Sequence, residues 1–207
     1  MKNLKNCKWL FFDIGSTIVD ETLCYDKRYE ELVQDTDISK SAFADKVIEL
    51  AKQNKDACRA AADFYGLQIP KWHKELEKLY PDAQSVLGEL SKKYKLGIIA
   101  NQSLGSQERL NAWGIGQYFD LVIASTEEGV SKPDLGIFNI ALKKADCRAE
   151  DAVMIGDRLD NDIIPAKRLG MNTVWIKQGF AVYQTPEKDS EIPDFEVNSL
   201  TELLALF

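Results

Sequence analysis

Histidine occurs once in the 207 residues, and cysteine only four times, at Cys7, Cys24, Cys58 and Cys147. The cysteines are scattered, with no CxxC pair, so neither a disulfide framework nor a cysteine-held zinc site is expected. They read as reduced packing residues of a cytoplasmic protein. The lone His73 sits among Lys71, Trp72 and Lys74, where a surface position is the better reading than a general base. Basic runs are missing too. With a formal net charge of −7 nothing stands out to neutralise a phosphate backbone, so nucleic acid is not an expected partner. No apolar stretch is long enough to cross a bilayer, and the first six residues lack the apolar centre of a signal peptide, so no membrane association is expected. An acidic balance does not exclude an anionic small molecule, because one local lysine and a metal ion can invert the local field.

Hydrophobic residues make up 45% of the chain, enough for one domain, or one core with a small insert. Short continuous apolar runs read as strands: Trp9–Phe12, Leu96–Ala100, Leu121–Ala124, Ala152–Ile155 and Thr173–Ile176. Each is apolar on both faces, as in a parallel sheet covered by helices on both sides. Between them Val86, Leu87 and Leu90, and then Leu135, Phe138, Ala141 and Leu142, recur at helical spacing. Ser199–Phe207 reads as a closing helix. The alternation predicts a doubly wound α/β sheet. It is interrupted once. From Ile18 to about Asp82 no strand is expected. Tyr29, Leu32 and Val33, then Phe43, Val47, Leu50 and Ala51, then Ala60–Phe64, mark helical pieces. The expected division is a core of residues 1–17 and 83–207 and a helical insert of 18–82, joined near Asp20 and Pro81.

In an open parallel sheet the ligand crevice lies beyond the carboxyl ends of the strands. Asp13, Asn101 and Asp157 follow predicted strands, so their polar groups gather at one edge. Two carboxylates brought together repel unless a cation lies between them, and hard, partly open oxygen ligands suit Mg²⁺. Either aspartate alone would read as a turn cap. Together, and with a lysine between them in sequence, they favour a site.

The segments Trp9-Leu10-Phe11-Phe12-Asp13-Ile14-Gly15-Ser16-Thr17, Ser131-Lys132-Pro133 and Ile155-Gly156-Asp157-Arg158-Leu159-Asp160-Asn161-Asp162 resemble, in this order, the motifs of the haloacid dehalogenase-like (HAD) superfamily. That family has a Rossmann-like core and often a helical cap inserted after the first strand. The resemblance implies a hydrolase acting on a small phosphorylated molecule, as a monomer or homodimer. It implies Asp13 as the nucleophile that forms an aspartyl-phosphate. It implies Mg²⁺ held by Asp13, the Gly15 carbonyl and Asp157, with Asp162 in support and Asp160 as an alternative for that role. Lys132 would supply charge to phosphate and nucleophile, and Ser16, Thr17 and Asn101 would meet the phosphate.

Two positions depart from the family's phosphatases. Gly15 stands where they carry a second aspartate, the general acid and base, a group worth roughly 10²–10⁴-fold. Atypical or weak activity is therefore expected. If the loop requires a positive φ at Gly15, an aspartate there would also strain it. Ala100 stands where a serine or threonine hydroxyl binds phosphate; the Asn101 amide or Ser103 could substitute. Asp20 and Glu21 follow the motif loop, but a reach back towards Gly15 is weighed and set aside. Arg158 is expected to pair with an acidic neighbour. Lys40, Lys46, Lys52 and Lys55 read as a solvated helix face, and Trp72 and Tyr80 as packing residues of the insert. Two alternatives stay open: a nearly inactive relative that only binds Mg²⁺ and phosphate, and phosphonatase or dehalogenase-type chemistry. Asp157 argues against the dehalogenases, which resemble this chain but carry neutral residues there.

Overall fold

The computed structural model describes residues 4–207. In chain order its strands are β1 (Trp9–Phe12), β2 (Val19–Asp20), β3 (Lys78–Leu79), β4 (Lys95–Ala100), β5 (Leu121–Ala124), β6 (Ala152–Gly156), β7 (Asn172–Ile176) and β8 (Phe195–Val197). Its α-helices are α1 (Thr22–Val33), α2 (Lys40–Ala51), α3 (Ala57–Tyr65), α4 (Ala83–Leu90), α5 (Ser106–Ala112), α6 (Ser125–Glu128), α7 (Leu135–Lys144), α8 (Ile164–Arg168) and α9 (Leu200–Leu203).

Six strands form one parallel sheet in the order β5-β4-β1-β6-β7-β8. The architecture is the expected doubly wound α/β sheet, and the side-chain alternation explains why. Leu10, Phe12, Ile98, Val153 and Ile155 point to one face and pack with Leu87, Leu90, Leu110, Leu200 and Leu203 of α4, α5 and α9. Phe11, Ile99, Ile123 and Met154 point to the other face and meet Ile137, Phe138, Ala141 and Ala166 of α7 and α8. Strands apolar at every position can bury both faces only between two helical layers. Each fully buried Leu, Ile or Phe adds roughly 1.5–3 kcal/mol.

The chain runs outward from β1 through β4 to β5, then returns beside β1 as β6 and runs outward the other way. The direction reverses between β1 and β6, the place where such sheets open a crevice.

Residues 18–82 hold α1, α2 and α3, which share a cluster of their own: Leu32, Val33, Phe43, Val47, Leu50, Ala51 and Ala61. Ser39 caps α2 by accepting a hydrogen bond from the Ala42 N–H, and α3 stops at Gly66, whose φ of 68° suits glycine. The expectation of no strand in this interval is corrected. β2 and β3 pair antiparallel, Val19 with Leu79 and Asp20 with Lys78, at the two crossings into the insert. Two-residue strands are too short to show a period. β8 was likewise not expected, and the closing helix is only Leu200–Leu203.

Candidate active site

The Asp13 N–H donates to the Ile155 carbonyl at 2.9 Å, so the β1–β6 ladder runs one residue past the strand and holds Asp13 at the crevice. Its Oδ1 accepts from Lys132 Nζ at 2.7 Å, and the same ammonium donates to Asp162 Oδ1 at 2.5 Å. Lys132, far from a solvated residue, is 3% exposed. It lies in the turn ahead of α7, and Pro133 precedes that helix, which Asp134 caps by accepting from the Gly136 N–H. Burial alone would pull the Lys132 ammonium down, but Asp13 and Asp162 outweigh it and hold it above its ordinary value.

Asp157 follows β6. Its Oδ1 accepts from Thr17 Oγ1 at 3.4 Å and its carbonyl accepts from Trp175 Nε1 at 2.5 Å. Burial, then the charges of Asp162 and Asp13, push its carboxyl well above the usual range. Asp162 accepts from the Arg158 N–H at 3.1 Å. Burial raises it to about 6 against the opposing pull of Lys132. Gly156 carries no side chain for a reason: a Cβ there would lie 2.5 Å from the Asp162 carboxyl. One oxygen each from Asp13, Asp157 and Asp162 lie within 4.8 Å of one another. Three carboxylates, two of them buried, with one ammonium bonded to two of them, leave net negative charge, which fits a hard divalent cation. Asp160 is elsewhere: Arg158 donates to it at 2.5 and 3.2 Å, as expected of that arginine, and Gln184 at 2.8 Å.

The remaining expected residues are brought to the same edge, though their side chains have partners of their own. Asn101 accepts from the Lys132 N–H at 2.8 Å and donates to the Lys132 carbonyl at 2.9 Å, so its amide positions the lysine. Ser103 is bonded by Lys74 Nζ. The positive φ lies at Ser16, at 51°, and not at Gly15. The Ser16 hydroxyl donates to Glu21 Oε2 at 3.1 Å.

Glu21, whose reach back towards Gly15 was set aside from the sequence, does extend there, and that expectation is corrected. A Cβ built on Gly15 would lie 2.6–2.8 Å from its carboxyl atoms. Burial, then the charge of Asp13, raise this carboxyl to about 8. The missing side chain at Gly15 was the available signal. A cleft of about 590 Å³ opens beside it, lined among others by Ser16, Glu21, Tyr25, Lys40, Tyr80 and Phe180. Tyr80 thus faces the cleft, and so does Lys40, which pairs with Asp26 at 2.6 Å.

A parallel α/β sheet with a lysine-bridged acidic centre at its switch point defines a carboxylate-based catalytic centre. A model of the haloacid dehalogenase-like hydrolases matches residues 10–176, and the chain belongs to that family. It is 31% identical over 195 residues to the glyceraldehyde 3-phosphate phosphatase of Pyrococcus abyssi, covering 83% of this chain and 82% of that protein. It is 43% identical over 127 residues to the protein of that name from Methanocaldococcus jannaschii, covering 60% of this chain and 54% of the relative. The chain spans about half the length of this and another of the curated relatives it matches. The structure of a HAD phosphatase from Thermococcus onnurineus superposes with a TM-score of 0.64 at 27% identity, covering 96% of this chain and 97% of that one. No α-helix among the described residues is long and apolar enough to cross a membrane.

Proposed function

We propose that the chain is a Mg²⁺-dependent phosphatase of small phosphorylated metabolites, acting through an aspartyl-phosphate on Asp13. The observation that carries this reading is Lys132, buried and bonded at once to Asp13 and Asp162 beside Asp157. A buried ammonium between carboxylates fixes the nucleophile's rotamer and supplies positive charge where phosphoryl oxygens would gather. Asp13, the Gly15 carbonyl and Asp157 would hold Mg²⁺, with Asp162 in support, and the ion would supply charge neutralisation for the phosphate.

In this reading Asp13 attacks phosphorus and the bond to the leaving oxygen breaks. Water then breaks the new bond to Asp13 and phosphate leaves. Phosphate contacts fall to the loop at Ser16 in this reading, because the Thr17 N–H already donates to the Ile14 carbonyl at 3.3 Å and the Gln102 N–H to Ser125 Oγ at 3.1 Å. Residues 18–82 act as the cap, and the cleft lined by Tyr25, Tyr80 and Phe180 receives the leaving group. Loss of an acid–base carboxyl would cost roughly 10²–10⁴-fold, so the rate depends on what replaces a second aspartate.

The test is turnover over a panel of phosphorylated metabolites, with glyceraldehyde 3-phosphate included because relatives bear that name. Phosphate release that needs Mg²⁺ and disappears in Asp13→Asn is the expected outcome. Release that survives Asp13→Asn would overturn the reading.

A further inference from the structure

We propose that Glu21 is the general acid and base of this site, standing where the family's second aspartate would stand. This rests on the phosphatase reading above and deepens it. The three carboxyl atoms of Glu21 lie 2.6–2.8 Å from where a Cβ on Gly15 would be. The carboxyl therefore occupies the volume into which a side chain two residues past the nucleophile would project. It arrives from the other side, from the end of β2 at the start of α1.

The ordinary explanation for a glutamate in that position is a helix cap. Glu21 precedes Thr22 at the N-cap of α1, yet its side chain makes no capping hydrogen bond. It turns to Ser16 instead, whose hydroxyl donates to Oε2 at 3.1 Å and so orients the carboxyl. Glu21, Ser16 and Gly179 line the same cleft, the space open to a leaving group. Glycine at 15 is then a requirement: any side chain there would displace the acid.

The chemistry balances. As Asp13 attacks phosphorus and the bond to the leaving oxygen breaks, the Glu21 carboxyl gives its proton to that oxygen. The resulting carboxylate takes a proton from water as the water oxygen attacks phosphorus and the bond to Asp13 breaks. Asp13 is regenerated as carboxylate and Glu21 as acid, and the sum is phosphate ester plus water to alcohol plus phosphate.

The test separates leaving groups. p-Nitrophenolate departs without a proton, whereas an alkoxide does not. Glu21→Gln should release p-nitrophenolate in a burst stoichiometric with enzyme and then turn over roughly 10²–10⁴-fold more slowly than wild type, with phosphoenzyme accumulating. With an alkyl phosphate it should show neither burst nor turnover. In a Gly15→Asp background, where the new carboxyl expels the flexible end of Glu21, the Glu21→Gln penalty should largely vanish. If Gly15→Asp does not fold, Gly15→Ala serves: it should lose activity by itself and lose no more on adding Glu21→Gln. Equal rates for wild type and Glu21→Gln, loss of the burst with both substrates, or a penalty undiminished in the Gly15 variants would overturn the assignment. Absence of Asp13-dependent turnover in wild type on every phosphate would remove the phosphatase reading itself, and this role with it.

Discussion

Asn101 uses both ends of its amide on the backbone of Lys132, and this sets the height of the lysine over the sheet. Asn101→Ala removes both bonds, which are partly buried although Asn101 itself is exposed. At about 0.5–1.5 kcal/mol each, the variant should lose about 1–3 kcal/mol in denaturant unfolding. Turnover should fall further than that loss alone would imply, because Lys132 no longer pins Asp13. Full activity in a measurably destabilised variant would show that the clamp serves folding only. The same residues illustrate what was legible at this scale. That Asp13, Lys132, Asp157 and Asp162 come together was legible because strand ends and motif order place them. The partners of Asn101 and Ser16 were not legible, and the reach of Glu21 towards Gly15 was set aside as the lesser reading. Each depends on a side chain crossing between segments: Asn101 and Lys132 lie 31 positions apart, and no periodicity encodes that meeting.

The long strands were readable because their apolar runs are continuous and their neighbours have helical spacing; β2, β3 and β8 were not, being two or three residues long. His73 shows a second kind of limit. It reads as a surface residue, but its ring nitrogens meet Glu75 at 2.7 Å and Glu31 of α1 at 2.9 Å, tying that helix to the segment before β3. Hydrogen bonds to Glu75 and then Glu31 raise its pKa. The folded protein therefore holds this proton more tightly than the unfolded chain. The stabilisation is complete below the unfolded value of about 6.5 and is lost as pH rises through the folded one. Melting temperatures of wild type and His73→Gln should accordingly differ at about pH 5.5 and converge towards about pH 8.5. A gap that stays constant across this range would show that the ion pairs contribute nothing.

For the molecule as a whole, a cation and a moving cap are the two elements that the proposed function requires. Mg²⁺ should stabilise the folded protein by about 2.7 kcal/mol at a hundredfold excess over its Kd. Calorimetric titration should find that affinity abolished in Asp157→Ala; equal affinity in the two proteins would place the ion elsewhere. Mg²⁺ with fluoroberyllate, a phosphoryl mimic, should slow amide exchange in residues 18–82 as the cap closes over the cleft and excludes water. Unchanged exchange in α1 to α3 would argue for a fixed wall. Part of that wall already spans the two bodies: Phe180, which follows β7, packs on the cluster of α1 to α3 and stands edge-on to Tyr25 with ring centres 4.9 Å apart.

The pairing of Val19 with Leu79 and of Asp20 with Lys78 makes the two ends of the insert neighbours. To the sheet, everything between them is a single stem-closed loop. A loop of another length could replace it at small entropic cost, since doubling its length adds only about 0.6 kcal/mol. Such a stem permits exchange by cassette: one insert could replace another without disturbing the register of β1 or β4. Glu21 lies just inside the stem. Transplanting the segment would therefore carry the proposed proton donor along with the specificity walls, and a recipient core would need a glycine two residues after its nucleophile to receive it.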